Sequence, residues 1–408
     1  MKKIVISGMG IVSALGKNVA ENLQSLREKR SGIAPLYYLK TSHTEFPVGE
    51  IKMSNEEMIC ALNLSENEPT TRTSLMGMLA VREALFHGKL YPQSSEMTGK
   101  TIAFVSGNTV GGMDKSEQFY LDYLENDTKN AYISTHDCGA CTEMIADYFG
   151  IFSTVDTIAT ACSSAANAIL FGAELLKNGR ADIVVAGGSE CIAKFHLNGF
   201  NTLKILDTAQ CRPFDAGRSG INLGEGSAYV IMETEDSAKK RQVEPLCQLS
   251  GYANTCDAFH QTASSQNGEG AFLAMKKALE SAGMQPYEID YINAHGTGTD
   301  NNDASEGNAI MRLFGDKIPP VSSTKPFTGH TTSAAGSVEA VISILALQHN
   351  FIPVNLNFSE QMPELSFAPV TDPKPAKPIR HILSNSFGFG GNDTSLIFSK
   401  IISFAGIK

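Results

Sequence analysis

Short runs rich in β-branched residues alternate with segments of helical spacing along the whole chain, and this alternation constrains the fold more than any other feature. Runs of the first kind predict buried strands, and segments of the second kind predict helices that pack on a sheet. Strands are predicted at 3–7, 101–105, 157–160, 183–186, 228–233, 289–293, 320–323, 382–386 and 395–398. Helices are predicted at 164–176, 271–282 and 333–348. The last helix is apolar on nearly all sides, so the pattern indicates a layered α/β protein with this helix buried between layers.

Length and composition narrow the class of protein further. A chain of 408 residues exceeds what a single core usually holds, so we expect two core-bearing halves, residues 1–250 and 251–408. The chain has 42% hydrophobic residues and a formal net charge of −10, and it has no basic tract that would favour nucleic acid as a partner. No apolar stretch reaches the roughly 18 residues of a membrane span. We therefore expect a soluble, cytoplasmic protein.

Eight cysteines are spread through the chain, which favours free thiols over a disulfide framework. Cys138 and Cys141 have the CxxC spacing of metal or redox sites, and His136 is close by. No second CxxC or HxxxH completes a zinc set, so the motif is a weak match and we expect no metal site.

A nucleophile is predicted at Cys162, which stands in an abrupt turn of small residues between a predicted strand and helix 164–176. A helix N-terminus favours thiolate over thiol and can lower the pKa of a cysteine. The small neighbours leave room for a substrate. A buried structural cysteine would explain Cys162 alone equally well, so its partners have to decide between the two interpretations.

Two histidines are candidate partners, because each follows a predicted strand within a loop rich in glycine and hydroxyl groups. His295 begins the sequence His-Gly-Thr-Gly-Thr, and His330 lies five residues after Lys325. Groups at the ends of strands in an α/β sheet commonly form one site. One thiol, two imidazoles and one ammonium suit acyl transfer followed by loss of a carboxylate.

A glycine-rich turn around Phe389 joins two predicted strands and exposes backbone N–H groups. Such donors can form an oxyanion hole. Taken by itself, segment 385–392 is better explained as a glycine-rich hairpin. A nucleotide site is disfavoured, because the segment neither opens a helix nor has the spacing of a phosphate loop.

With these four segments in place, the chain resembles the condensing enzymes of the thiolase superfamily, and within it the elongating type II β-ketoacyl-acyl-carrier-protein synthases. The likeness covers nearly the whole chain, including segments 4–16, 212–226, 256–262 and 329–340. It implies a thiolase-like α/β fold in which two pseudo-duplicated halves form α-β-α-β-α layers. It also implies a homodimer that binds acyl carrier protein and needs no cofactor beyond the phosphopantetheine arm of that carrier.

The resemblance assigns roles to the matching residues. Cys162 is expected to take an acyl group as a thioester, with the backbone N–H groups of Cys162 and Phe389 holding the oxyanion. Phe389 also matches a gating residue that moves for the malonyl step. His295 and His330 are expected to stabilise the enolate that forms when malonyl-carrier protein loses carbon dioxide.

Further residues are assigned supporting roles by the same resemblance. Lys325 is expected to set the electrostatics of the histidine pair, with Glu339 as its partner. Val110 matches a position that limits the acyl pocket. Three threonines match positions that contact the phosphopantetheine arm: Thr262, Thr297 and Thr299.

The two histidines beside the nucleophile argue against assigning the chain to the initiating synthases or to the thiolases. The presence of the nucleophile argues against an inactive chain-length factor. Departures from the family pattern border the predicted site at Asp300, Thr332-Ser333 and Asn392-Asp393. We therefore expect an acyltransferase, a 3-oxoacyl-acyl-carrier-protein synthase II of fatty acid biosynthesis. The alternatives are a ketosynthase of a specialised polyene or polyketide pathway, a silent partner subunit and a cysteine hydrolase.

Overall fold

The computed structural model describes residues 2–65, 68–91, 97–126 and 128–401. Strands in these ranges are β1 Ile4–Ser13, β2 Ile102–Gly107, β3 Thr154–Ile158, β4 Ile183–Glu190, β5 Gly226–Thr234, β6 Cys247–Cys256, β7 Tyr291–Asn293, β8 Val321–Ser322, β9 His381–Gly388 and β10 Asn392–Ser399. Helices are α1 Val19–Arg27, α2 Asn55–Leu62, α3 Arg72–His87, α4 Met113–Glu125, α5 Asn130–Ile133, α6 Cys138–Phe149, α7 Ser164–Lys177, α8 Lys194–Thr202, α9 Glu235–Lys240, α10 Glu269–Ala282, α11 Asp300–Phe314, α12 Lys325–Thr328 and α13 Ala335–His349.

The strand order repeats between the two halves of the chain. Strands β1 to β5 lie in the order β3-β2-β4-β5-β1, and β6 to β10 lie in the order β8-β7-β9-β10-β6. The two sets join where β1 pairs antiparallel with β6. This repeat confirms the pseudo-duplicated halves expected from the sequence. Residue 250 falls within β6, which pairs with strands of both halves, and the division into domains at that residue stays a prediction.

Five layers follow from the side of the sheet that each helix covers. Helix α3 packs on β1 and β5, and α10 packs on β6 and β10, so these two helices form outer layers. Helices α7 and α13 pack against each other, with α7 on β2 and β4 and α13 on β5 and β9. They form the middle layer, which confirms the α-β-α-β-α architecture.

The middle layer explains both the apolar sequence of α13 and the location of the site. Every residue from Ala335 to Leu347 is buried, because α13 has protein on all sides. Single-turn 3₁₀ segments, Ala161–Ser163 and Thr332–Ala334, precede α7 and α13 and contact each other. The chain around Cys162 is thereby brought against the chain that follows His330.

Some elements and motifs differ from the sequence-based expectation or go beyond it. Strand β6 is missing from the predicted strands, because its sequence mixes small and polar residues and its partners β1 and β10 are distant in the chain.

All eight cysteines are free, and Cys138 opens helix α6 with Cys141 buried one turn later. No helix in the described ranges is long and apolar enough to cross a membrane.

Candidate active site

The nucleophile candidate lies in the sharp turn between β3 and α7. Ala161, the residue before Cys162, has a positive φ of 51°, a strained conformation for a residue with a side chain. The Ser163 hydroxyl donates to the Thr160 carbonyl, and the Ser164 hydroxyl donates to the Ala161 carbonyl. These bonds hold the turn that directs the sulfur of Cys162 into a cavity.

The sulfur of Cys162 lies 3.0 Å from Nε2 of His330. The backbone N–H groups of Phe389 and Cys162 also point at this sulfur. Burial nevertheless raises the pKa of the Cys162 thiol to about 11, against the lowering effects of Lys325 and of these N–H groups. The lowered pKa that the position before a helix predicts is therefore not found: burial is the largest cause of the shift, and the thiol needs a base.

The two imidazole rings lie beside the sulfur and beside each other. The ring centroids of His295 and His330 are 5.3 Å apart, with the planes 83° to one another. Burial, with the charge of Lys325 as the next cause, holds the pKa of both imidazoles well below the usual value. Both rings are therefore neutral at neutral pH.

A buried ion pair stands behind His295. Nζ of Lys325 lies 2.5 Å from Oε1 of Glu339, 2.5 Å from the carbonyl oxygen of His295 and 3.3 Å from Nδ1 of His295. Because the ammonium donates to Nδ1, the proton of the neutral ring sits on Nε2. Burial raises the pKa of Glu339 to about 7, while Lys325 acts to lower it. Glu339 is thus the partner of Lys325, as predicted.

Acidic residues of α11 that the sequence interpretation missed hold the His295 loop. Glu306 accepts the backbone N–H groups of His295 and Gly296 at 2.9 and 2.8 Å. Asp303 accepts the N–H groups of Thr297 and Gly298. The sequence does contain a signal for this role, because both acidic residues lie within two helical turns after the glycine-rich loop.

A cavity of about 310 Å³ joins most of the predicted site. Its lining includes seven of the ten residues chosen from the sequence: Cys162, His295, His330, Phe389, Thr262, Thr297 and Thr299. Lys325 and Glu339 lie outside the lining, behind His295. Val110 does not line this cavity either, and its neighbour Thr109 donates its backbone N–H and hydroxyl to the buried Glu190. The role of Val110 at an acyl pocket stays a prediction.

The turn that carries Phe389 is held by two neighbouring segments. The rings of Phe389 and Phe200 of α8 are stacked, with centroids 5.9 Å apart. The N–H of Gly390 donates to the carbonyl of Gln261, and the N–H of Asp257 donates to the carbonyl of Gly391. The glycine-rich segment is thus a tethered turn in the wall of the cavity, between β9 and β10.

The same cluster offers donor atoms that a metal accepts. One ligand atom each from Cys162, His295 and His330 lies within 4.8 Å of the others. Thiolate and imidazole are ligands of zinc. The absence of a metal, expected from the sequence, stays a prediction.

The duplicated five-layer fold, with one cysteine and two neutral histidines in a shared cavity, defines a condensing enzyme of the thiolase-like class. Residues 1–238 match the N-terminal domain of beta-ketoacyl synthases, and residues 246–359 match the C-terminal domain. The chain therefore belongs to the β-ketoacyl synthase family.

Individual relatives agree with this family. The chain is 32% identical to 3-oxoacyl-[acyl-carrier-protein] synthase 2 from Coxiella burnetii, over 98% of this chain and 99% of that protein. The solved ishigamide ketosynthase/chain length factor has a TM-score of 0.91 at 27% identity, covering 98% of this chain and 100% of that one. A chain of the solved complex of a ketosynthase with its chain length factor from Xenorhabdus doucetiae has a TM-score of 0.84 at 31% identity, covering 98% of each chain. These likenesses confirm the thiolase-like fold.

Proposed function

We propose that the chain catalyses the decarboxylative Claisen condensation of an acyl thioester with malonyl-acyl-carrier protein, giving 3-oxoacyl-acyl-carrier protein in fatty acid biosynthesis. The observation that carries the proposal is the 3.0 Å contact of the Cys162 sulfur with His330, beside the neutral ring of His295. A nucleophile within hydrogen-bond reach of a base suits acyl transfer. Neutral imidazoles suit the stabilisation of an enolate.

In the first half-reaction, Nε2 of His330 takes the thiol proton while the sulfur of Cys162 attacks the carbonyl carbon of an acyl-carrier thioester. The bond from that carbon to the carrier sulfur breaks, and the proton passes from His330 to the leaving sulfur. The N–H groups of Cys162 and Phe389 donate to the carbonyl oxygen as it gains charge. A base is required because the buried thiol has a pKa of about 11.

In the second half-reaction, the bond between the carboxylate and the α-carbon of the malonyl group breaks and carbon dioxide leaves. The electron pair moves onto the thioester oxygen as an enolate, which accepts hydrogen bonds from His295 and His330. Lys325 supports this step by keeping the proton of His295 on Nε2. The enolate carbon then attacks the acyl thioester and expels the thiolate of Cys162, which leaves the 3-oxoacyl product on the carrier.

The acyl carrier protein is the proposed partner, and its phosphopantetheine arm is proposed to enter the cavity. Three threonine hydroxyls of the lining suit contacts with this polar arm, and those of Thr297 and Thr299 lie 2.8 Å apart. Thr262 is the third. The arm arrives with the carrier, so the chain needs no resident cofactor.

A homodimer is proposed because strand β3 has an open edge. It is the last strand of the sheet and pairs only with β2 among the described strands, and its residue Val155 is 38% exposed. Such an edge presents unpaired N–H and C=O groups that can pair with another chain. In the same half, α4 exposes four large apolar side chains: Tyr120, Leu121, Tyr123 and Leu124. Light scattering is expected to give twice the mass of the chain, whereas a monomer stable only with another ketosynthase would favour a silent partner subunit.

A ketosynthase of a specialised polyene or polyketide pathway is the second candidate. Two observations favour it: both solved relatives described above are named for a ketosynthase and a chain length factor, and polar residues replace common family residues at Thr332 and Ser333. A panel of saturated, polyene and 3-oxoacyl carrier proteins separates the pathways. Preference for saturated donors would support fatty acid synthesis.

The reaction itself is tested by incubating the purified protein with acyl- and malonyl-acyl-carrier protein. Mass spectrometry is expected to find an acyl adduct on Cys162 and then the 3-oxoacyl product, and Cys162→Ala is expected to form neither. Full product from Cys162→Ala, or no product from the wild type, would refute the proposal. Free acid without condensation would favour a cysteine hydrolase.

A further inference from the structure

Buried polar atoms near His330 lack hydrogen-bond partners within the described part of the chain. They are Nδ1 of His330, Nε2 of His196 and Oγ1 of Thr332, two residues after His330. All three residues are more than nine-tenths buried. A buried polar group without a partner is costly, so these atoms indicate a bound partner. Nδ1 of His330 matters most, because the other nitrogen of this ring contacts the nucleophile.

His196, on helix α8, is a neighbour of His330. Leu197, the next residue of the helix, packs with Leu223, and Leu223 pairs with His330 through a β-bridge. His196 also acts to lower the pKa of His330, which indicates that the two rings lie near each other. Neither the sequence interpretation nor the proposed reaction assigns a role to His196.

The proton position on His196 follows from its contacts. The backbone N–H of Ala193 donates to Nδ1 of His196 at 3.2 Å, so this nitrogen carries a lone pair. Burial lowers the pKa of His196 to about 4, so the ring is neutral. Its single proton therefore sits on Nε2, the nitrogen that lacks a partner. His196 presents a hydrogen-bond donor inside the protein.

We propose that His196 is a positioning residue that holds one water between its Nε2–H group and Nδ1 of His330. The inference rests on the proposed role of His330 as the base for Cys162. A neutral His330 that accepts the thiol proton on Nε2 must carry its own proton on Nδ1, so both nitrogens that lack a partner are donors. One water oxygen accepts two hydrogen bonds and matches both. During transfer, the S–H bond of Cys162 breaks and an Nε2–H bond of His330 forms.

The same water serves the second half-reaction. When Nε2 of His330 donates to the enolate, Nδ1 carries a lone pair, and a water that still accepts from His196 can donate to it. The water anchored by His196 therefore supports both tautomers that the two half-reactions need.

Two variants separate this role from simple helix capping. Gln at position 196 places an amide donor near the position of Nε2, whereas Asn places an acceptor near the position of Nδ1, where it can still bond Ala193. If His196 only caps α8, His196→Asn is expected to keep the reactivity of Cys162 and His196→Gln to lose it. If His196 holds the water, His196→Gln is expected to keep this reactivity and His196→Asn to lose it.

The readout is the rate at which iodoacetamide alkylates Cys162 at pH 7, followed by peptide mass spectrometry. It needs neither substrate nor carrier, so a failure of the proposed function shows separately as missing condensation product in the wild type. The exposed thiol of Cys60 is the internal reference.

Alkylation of Cys162 is expected to be roughly tenfold to a hundredfold slower in His196→Asn, which is the effect of one buried hydrogen bond. It is expected to stay within about threefold of wild type in His196→Gln. A wild-type rate in the Asn variant, or equal losses in both variants, would overturn the proposal.

Discussion

Replacement of Asp393 by asparagine is expected to stabilise the folded protein at neutral and alkaline pH and to leave it almost unchanged near pH 4. Asp393 lies on β10 and is 3% exposed. Burial, followed by the negative charges of Asp257 and Glu306, raises the pKa of its carboxyl to about 8. Asparagine has nearly the same shape and no charge to bury. The side chain is therefore an acid where the surroundings favour a neutral group.

The size of the effect follows from the two pKa values. The ordinary value for aspartate is 3.8, so between about pH 4 and pH 8 the folded protein retains a proton that the unfolded chain releases. The folded state then binds more protons, and stability falls as the pH rises through this window. At pH 7 the pH is roughly three units above the ordinary pKa of aspartate. At about 1.4 kcal/mol per unit, the free energy of unfolding is then lower by up to about 4 kcal/mol. Asp393→Asn removes this loss.

Urea unfolding of both proteins at pH 4, 7 and 9 measures the effect. The gain in free energy of unfolding is expected to grow from near zero at pH 4 to its full size at pH 9. Asp257→Asn is the matched control: the Asp257 carboxylate accepts hydrogen bonds from Ser265 and Gly270, so its loss is expected to destabilise the protein. A difference between Asp393→Asn and wild type that does not change with pH would refute the reasoning.

Three further outcomes are expected. Lys325→Met leaves Glu339 buried without its cation and should cost about 3–5 kcal/mol, whereas Lys325→Met with Glu339→Leu should cost much less; equal losses in urea unfolding would contradict the pairing. Ser333→Ala removes a 2.6 Å donor from Glu190, whose pKa burial raises to about 7. Since this donor favours the carboxylate, a loss of about 1 kcal/mol is expected at pH 8 and little at pH 5; the same loss at both would argue against it. Dialysis against EDTA should leave condensation unchanged, and a loss that zinc restores would place a metal on Cys162 and the histidines.

Most strands and the internal helix were predictable, because their signal is local. The β-branched runs of β2, β4, β5 and β9 and the uniformly apolar α13 read the same in isolation as in the fold. Strand β6 was not predictable in this way. Its burial comes from pairing with β1, which lies far earlier in the chain, and with β10, which lies far later.

The site was predictable to a similar extent. Glycine-rich loops and the family resemblance pointed to Cys162, His295 and His330, which the fold brings into one cavity. His196 carries no such signal, and Asp393 was marked only as a departure from the family pattern. The raised pKa of Asp393 and the nearness of His196 to His330 become known only when neighbours from distant segments are placed.

The amino-acid sequence by itself determined the order of the elements, the family and the chemical groups brought to the site. Only the tertiary structure decided the protonation of those groups. The helix end beside Cys162 predicts an acidic thiol, yet the two halves of the sheet and the internal helices remove water from the sulfur and raise its pKa to about 11. Desolvation depends on how much protein surrounds a group from all sides, and that quantity comes from contacts between segments far apart in the chain.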